Sequence, residues 1–362
     1  MSPSSWTSLV SSGINSGREA AGRFGGNADA LELAGKVFPV RINSQYLSLI
    51  KSADDPLGRQ VVPSPLETAD TSLNGDPLSE DSDSPVPHLV HRYPDRVLLL
   101  VTYQCAVYCR FCTRRRSVGR TPTPTEAEMS RAISYIAEHN AIRDVIISGG
   151  DPLMLSDPVL GALLARIRAI PHVEIIRVDS RMPCAMPSRV TMELCRELRK
   201  HHPLYFNTHF NHPRELTSEA VAACARLADA GIPLGNQTVL LRGVNDDPGV
   251  MMELVQRLLA ARVKPYYLYQ CDPVAGTEHF RTTVQKGLEI LSALRGHTSG
   301  MAVPAYVIDA PGGGGKVPAL PPDIIEITGE KVVVRNYEGK VFEYIQAAPE
   351  SRQGTPPGKK TR

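Results

Sequence analysis

The run Val97-Leu-Leu-Leu-Val-Thr-Tyr-Gln-Cys105-Ala-Val-Tyr-Cys109-Arg-Phe-Cys112 passes from an apolar, β-rich stretch into three thiols within eight residues. A strand over 97–103 is expected, and the short loop at its end can aim all three thiols at one metal centre. Thiolates are soft ligands that suit zinc, copper(I) or iron–sulfur clusters. A structural zinc site needs a fourth Cys or His and uses paired ligands, and no fourth Cys stands nearby. A [4Fe–4S] cluster takes four Cys, so three would leave one iron open to another ligand. The bland alternative is three reduced cysteines without metal. Clustering this tight, in a chain with seven Cys, argues against it.

Working outward, the texture from Arg92 onward alternates apolar β-rich runs with amphipathic helical patterns. Strands are predicted over 97–103, 144–148, 173–178, 204–209, 235–241 and 265–270. Helices are predicted over 126–138, 158–169, 191–200, 218–230, 249–261 and 284–294. Such alternation implies an α/β protein with a parallel sheet and right-handed crossovers, closed either as an open doubly wound sheet or as a barrel. The polar motifs 105–112, 148–151, 207–209, Gln237 and 270–272 all fall at or just beyond strand ends. Functional groups gathered from successive strands onto one rim are a barrel feature, although six units are fewer than the eight of a full barrel.

The first ~90 residues look irregular, with short helices over 28–37 and 44–51. The stretch 54–87 is dense in Pro, Ser, Asp and Glu, and by composition is a disordered linker. From 301 a strand-like piece, a Gly run and β segments at 324–328, 332–336 and 341–344, around turns at 329–330 and 338–339, form a small β appendage. Four segments are expected: an N-terminal extension (1–90), a barrel (91–300), a C-terminal piece (301–348) and a disordered tail (349–362).

With 362 residues, 42% hydrophobic and 22% charged, the chain is an ordinary globular protein. A net charge of +2 and no Lys/Arg-rich run give no sign of a nucleic-acid partner. No apolar stretch approaches the ~20 residues that span a bilayer, and the start lacks the apolar core of a secretory signal. Clustered thiols and an odd Cys count read as thiol chemistry in a reducing cytoplasm.

Two further motifs carry chemistry. Ser148-Gly149-Gly150-Asp151-Pro follows a strand, where consecutive glycines let backbone N–H groups approach an anionic or zwitterionic ligand; alone it reads as a tight βα turn. Asp309-Ala-Pro-Gly-Gly-Gly-Gly-Lys316 puts a lysine beside four glycines. Linker flexibility is one reading. The other is a mobile lysine that binds pyridoxal phosphate (PLP) covalently. Arg92 and Arg96 would then suit the phosphate, since guanidinium binds it bidentately, although a solvated basic loop is the plain reading of that segment.

The cysteine spacing, with Phe111 just before the last Cys, resembles the cluster loop of the radical S-adenosylmethionine (SAM) enzymes. HRYPDRVLLLVTYQCAVYCRFCTRRRSVG, SGGDPL, YYLYQCD, EHFR, LRGHTSG and DAPGGGGK together resemble the lysine 2,3-aminomutases, from about Asp76 to Glu343. The resemblance implies a partial (β/α)6 barrel of the radical SAM type, with an N-terminal helical extension and a small C-terminal β appendage. It implies a [4Fe–4S] cluster on Cys105, Cys109 and Cys112, with SAM chelating the open iron. Ser148, Gly149, Gly150 and Asp151 would hold SAM. Lys316 would be the PLP lysine, with Arg92 and Arg96 on the phosphate, and Phe111, His209, Gln237 and Tyr269 would line the SAM and PLP pockets. It also implies that the acidic segment before His88 is ordered against the barrel.

By the same resemblance, Arg114 meets the substrate α-carboxylate, and Asp272 and Asp309 meet the ε-ammonium of lysine. Burying an ammonium costs several kcal/mol unless anions meet it, so the pair favours a cationic side chain. The glutamate-specific branch would lack it. Taken singly, each Asp could be a cap or turn residue. One departure stands out: Asp247 replaces a zinc-ligand Cys of the clostridial-type enzymes, and no Cys follows Cys271, so zinc is not expected. The implied reaction is L-lysine to L-β-lysine, with an electron donor such as a flavodoxin or ferredoxin and a homo-oligomeric state. Alternatives are an arginine 2,3-aminomutase, an aminomutase acting on a lysine of elongation factor P, a radical SAM enzyme without PLP, and a non-catalytic iron–sulfur scaffold.

Overall fold

The computed structural model describes residues 5–69, 73–328 and 331–345. The turn expected at 329–330 and the disordered tail expected at 349–362 lie outside the described residues. In the N-terminal region, α1 (Ser5–Ser11), α2 (Gly17–Phe24), α3 (Ala28–Val37), α4 (Ser44–Leu47) and α5 (Gly58–Val61) precede the sheet. Of these, α3 was legible, and α4 is shorter than expected. The helices α1 and α2 were missed because a Ser/Gly-rich start hides side-chain caps such as Ser16, whose oxygen accepts from Glu19 N–H.

The sheet starts with β1 (Leu89–Tyr93), antiparallel to β2 (Arg96–Thr102). From β2 the strands run parallel, with helices at the crossovers. The order is α6 (Glu126–Glu138), β3 (Asp144–Gly149), α7 (Asp157–Arg168), β4 (Ile175–Asp179), α8 (Met182–Ala185), α9 (Met192–Arg199), β5 (Leu204–Thr208), α10 (Ser218–Asp229), β6 (Leu234–Leu240), α11 (Pro248–Ala260), β7 (Lys264–Gln270) and α12 (Val284–Leu294). The strand-like piece after Met301 is β8 (Ala305–Ala310), which pairs in parallel with β7 as a further barrel strand. A hairpin returns as β9 (Gly315–Pro318), antiparallel to β8. The backbone N–H of Lys316 on β9 donates to Tyr93 Oη on β1 (2.9 Å), so side chain and backbone draw the two edges of the nine-stranded sheet toward each other.

Alternation along the strands decides what faces what. On β4, Ile176 and Val178 are fully buried while Arg177 and Asp179 are half-buried; on β6, Gly235, Gln237 and Val239 alternate with buried neighbours. One set packs into the helix-covered core with Leu99, Ile147, Phe206, Leu240 and Leu268, each worth about 1.5–3 kcal/mol when fully buried. On α6, Met129, Ala132, Ile133 and Ile136 form the buried stripe, and Thr125 with Glu128 forms the capping box that starts it.

Residues 54–69 and 73–87 are part of the folded body, against the compositional expectation. Glu67 is 1% exposed and binds Arg110 (2.6 Å) and Arg115 (2.5 Å), both from the cysteine-loop region. Opposite charges from distant sequence neutralise the acidic residues that composition alone reads as solvated. The appendage β10 (Ile324–Ile327), β11 (Lys331–Arg335) and β12 (Val341–Ile345) is an antiparallel sheet with Ile325, Ile327, Phe342 and Tyr344 exposed. Among the described residues no helix is long and apolar enough to cross a membrane.

Candidate active site

The cysteine loop leaves β2 and is braced by the N-terminal extension. Tyr108 N–H donates to Arg41 O (2.9 Å) and Arg110 N–H to Gln60 O (2.8 Å). Arg41 Nη1 donates to Cys105 O (3.1 Å), and Asn43 Nδ2 to Ala106 O (3.3 Å). Arg110 is fully buried, and its guanidinium is spent on Glu67 and on the carbonyls of Pro39 and Phe38. Cys105, Cys109 and Cys112 are free and half-buried. Burial pushes the Cys105 thiol well above its usual range, helped by Asp151 and the other two sulfurs, and pushes Cys112 up to about 11.

Among the described residues no three His, Cys, Asp or Glu side chains converge tightly enough for a single metal ion. A cluster does not need that, because each of its cysteines binds a different iron. Three free thiols at a strand end fit such a group, whose positive irons would hold them as thiolates. Beside them, Phe111 stacks on His209 (centroids 5.6 Å apart). His209 Nε2 is buried without a partner, and burial plus the nearby Arg181 lower the imidazole to about 3. A neutral ring with an orphaned nitrogen is a ready contact for a bound ligand.

The Ser148–Asp151 turn works differently from the sequence expectation. Gly150 N–H donates to Thr102 O (2.6 Å) and Asp151 N–H to Gln104 O (2.8 Å), so these two donors are spent inside the fold. The glycines are needed because a β-carbon at Gly149 would lie 2.2 Å from Thr102 O, and one at Gly150 2.5 Å from Gln104 O. The Asp151 carboxylate accepts from Ser180 Oγ (2.7 Å) and Arg181 N–H (2.9 Å). The turn therefore locks β3 to the root of the cysteine loop, with Ser148 buried at its start.

The Gly run is likewise structural. It forms the β8–β9 hairpin turn, with Gly312, Gly313 and Gly315 at φ +71°, +83° and +78°. A β-carbon at Gly315 would meet Tyr93 Oη at 2.9 Å. The hairpin register pairs Asp309 with Lys316, and Lys316 Nζ lies 3.2 Å from Asp309 Oδ1 and 5.3 Å from the Tyr269 ring centre. The lysine sits on a strand, not on a swinging linker. Arg96 stacks on Tyr93 (3.7 Å) and also donates to Asp95; Arg92 is committed to Asp83 (2.8 Å) and to the Leu78 carbonyl. Both arginines border the Lys316 hairpin, Arg92 through Asp83, which is near Gly313. Arg92 thus has two side-chain partners, Asp83 and the Leu78 carbonyl, and Arg96 one, the adjacent Asp95.

Asp272, Tyr269 and Arg114 share charged neighbours with Lys316 and Asp309. Asp272 is raised to about 7 by burial and then by the Asp309 charge, offset by Lys316, with Glu80 and Arg281 also near. Burial and the Asp179 and Asp309 charges raise Tyr269 well above the usual phenol range. Arg114 is held on both carboxylate oxygens of Glu80, through Nε (2.9 Å) and Nη2 (2.6 Å). Burial raises the Glu80 carboxyl, and Arg114, Arg116 and Arg92 more than reverse that. Gln237 occupies the half-buried face of β6. Asp247 caps α11 by accepting from Val250 N–H (3.0 Å).

Sequence reasoning missed Glu80, Asp179, Asn207 as a donor, Arg181 and Glu215. Asp179 accepts from Asn207 Nδ2 (2.8 Å), and burial raises its carboxyl against the field of Arg177, Arg114 and Lys316. Alternation of polar residues on the inner faces of β4 and β5 could have flagged Arg177, Asp179 and Asn207.

Comparison with known proteins gives these residues a family. A profile described as Lysine-2,3-aminomutase matches 291–356, and one described as Radical SAM superfamily matches 99–255. The L-lysine 2,3-aminomutase of Clostridium subterminale is 53% identical over 86% of this chain and 76% of its own length. That of Methanococcus maripaludis is 52% identical over 86% and 73%. The glutamate 2,3-aminomutase of Clostridioides difficile is 47% identical over 85% and 74%. This chain belongs to the lysine 2,3-aminomutase family of radical SAM enzymes.

Proposed function

We propose that the chain converts L-lysine to L-β-lysine, and that the observation carrying this choice is the pair Asp272 and Asp309 beside Lys316. A glutamate side chain would bring a further anion into a bore that already holds Asp179, Asp272 and Asp309. A lysine side chain brings the missing cation. When bound, the cluster and SAM supply a radical that removes hydrogen from C3, and PLP carries the nitrogen as it moves from C2 to C3.

In this reading, this chain's residues bind and orient. Cys105, Cys109 and Cys112 hold the cluster. Phe111, His209 and Gln237 would line the SAM side, beside the turn of Ser148, Gly149, Gly150 and Asp151 that fixes β3 to the cysteine loop. Lys316, Arg92, Arg96 and Tyr269 hold PLP. Arg114, with Glu80 gripping Nε and Nη2, would meet the substrate α-carboxylate through its remaining edge. Asp309 pairs with Lys316 in the resting chain and would turn to the substrate ammonium once Lys316 engages the cofactor. The barrel walls would keep water and stray hydrogen donors away.

Segment 1–90 braces the cysteine loop, 91–300 carries the SAM side and 301–348 delivers the lysine. An external low-potential donor, such as a flavodoxin or ferredoxin, and a reducing cytoplasmic setting belong to the same reading. So does a homo-oligomer, supported by the apolar residues exposed on β10 and β12. Anaerobic incubation with lysine, arginine or glutamate, plus SAM, PLP and dithionite, tests the proposal through identification of an isomer of unchanged mass. β-Lysine as the main product supports it, and preferential turnover of glutamate or arginine overturns it.

A further inference from the structure

Arg181 Nη1 lies directly against Cys109 Sγ, with its N–H pointing at the sulfur. The arginine lies just after β4 and is 9% exposed. Its Nη2 donates to Gln60 Oε1 (2.6 Å) and Glu215 Oε1 (2.8 Å), and its backbone N–H to Asp151 Oδ2 (2.9 Å). Glu215 is fully buried and also accepts from Tyr46 Oη (2.6 Å), Gln60 Nε2 (3.0 Å) and the backbone N–H groups of Asn211 (2.6 Å) and His212 (3.0 Å). The guanidinium is therefore fixed from three sides.

Internal stability does not account for the sulfur contact. The buried Arg110 and Arg189 spend their N–H groups on carboxylates and carbonyls. Arg181 instead leaves Nε buried without a partner and spends Nη1 on a sulfur. A neutral thiol is a weak acceptor, so the contact is strong only when Cys109 is a thiolate, as in a metal-bound ligand.

We propose that Arg181 raises the reduction potential of the iron–sulfur cluster by donating to Cys109 Sγ, and that Glu215 limits this by sharing its charge. The inference rests on the cluster assignment above. Reduction adds one electron from a low-potential one-electron donor and breaks no bond. The reduced cluster carries one more negative charge than the oxidised form. A cation held against a ligand sulfur therefore favours the reduced form, because hydrogen bonds and charge around the sulfurs tune such potentials.

The test is a redox titration followed by electron paramagnetic resonance on reconstituted wild type, Arg181→Gln, Arg181→Lys and Glu215→Gln, each assayed for iron and sulfide. Arg181→Gln should lower the reduced-to-oxidised ratio at fixed potential about tenfold, which is about 59 mV for a one-electron couple. Glu215→Gln should move the midpoint the opposite way, and Arg181→Lys should stay nearer wild type than Gln does. If Arg181→Gln fails to fold, the upward shift in Glu215→Gln still decides. An unchanged midpoint with a full cluster, or the same direction of shift in the Gln variants at both positions, overturns the inference. A wild type that binds no cluster overturns instead the assignment on which it rests.

Discussion

Asp309 and Lys316 are register partners across the β8–β9 hairpin, with Oδ1 and Nζ 3.2 Å apart. The backbone thus delivers a carboxylate and an amine together, the amine proposed for PLP and the carboxylate for the substrate ammonium. Lys316→Ala should remove the borohydride-reducible covalent link to PLP, read by mass spectrometry of the reduced peptide. Trapping on another lysine would refute the assignment. Asp309→Asn should weaken lysine turnover by about 2–5 kcal/mol, as for a truncated buried charge pair, while uncoupled SAM cleavage falls far less.

Asp272 sets a pH dependence whose sign follows from its raised carboxyl, about 7. Below that pH it is protonated and no longer attracts an ammonium, so kcat/KM for lysine should fall as pH drops through about 7. Asp309, Lys316, Glu80 and Arg281 are the charged groups facing it, and Asp272→Asn should flatten this limb. The linked stability term runs the other way. An unfolded Asp ionises near 4 and the folded one near 7, so its contribution to stability falls with rising pH across that window and is flat above it. Asp272→Asn should therefore raise the unfolding midpoint at pH 8, an effect of at most a few kcal/mol.

Replacing any of Cys105, Cys109 or Cys112 with Ala should abolish SAM cleavage and lower the bound iron, with PLP binding largely kept. Undiminished cleavage by Cys109→Ala would show that the sulfur assignment is wrong.

Glu67 neutralises two arginines at once, Arg110 and Arg115. Glu67→Ala leaves both buried charges uncompensated and should destabilise the fold by about 3–5 kcal/mol. Urea denaturation would read this as a lower midpoint. A loss under 1 kcal/mol would mean that the 54–69 segment contributes little to the cysteine loop.

Local pattern was enough for much of this protein. The thiol spacing, the order of strands β2 to β7 and the crossover helices are properties of neighbouring residues, because periodicity and turn chemistry act over a few positions. The lysine beside the Gly run was equally visible, yet the reason for the glycines was not. Their positive φ angles belong to a hairpin whose partner strand had been assigned to the appendage. Tertiary structure alone decided which charges meet. Arg110 and Glu67 lie 43 residues apart, Arg181 and Cys109 72, and Arg114 and Glu80 34. Composition counts the acidic residues of 54–87 as solvated, but desolvation and pairing are set by what the folded chain places beside them. The sequence by itself therefore determined strands β2 to β7, their crossover helices and the chemistry they carry, while only the tertiary structure decided which buried charges are matched, and so how the cysteine loop is held.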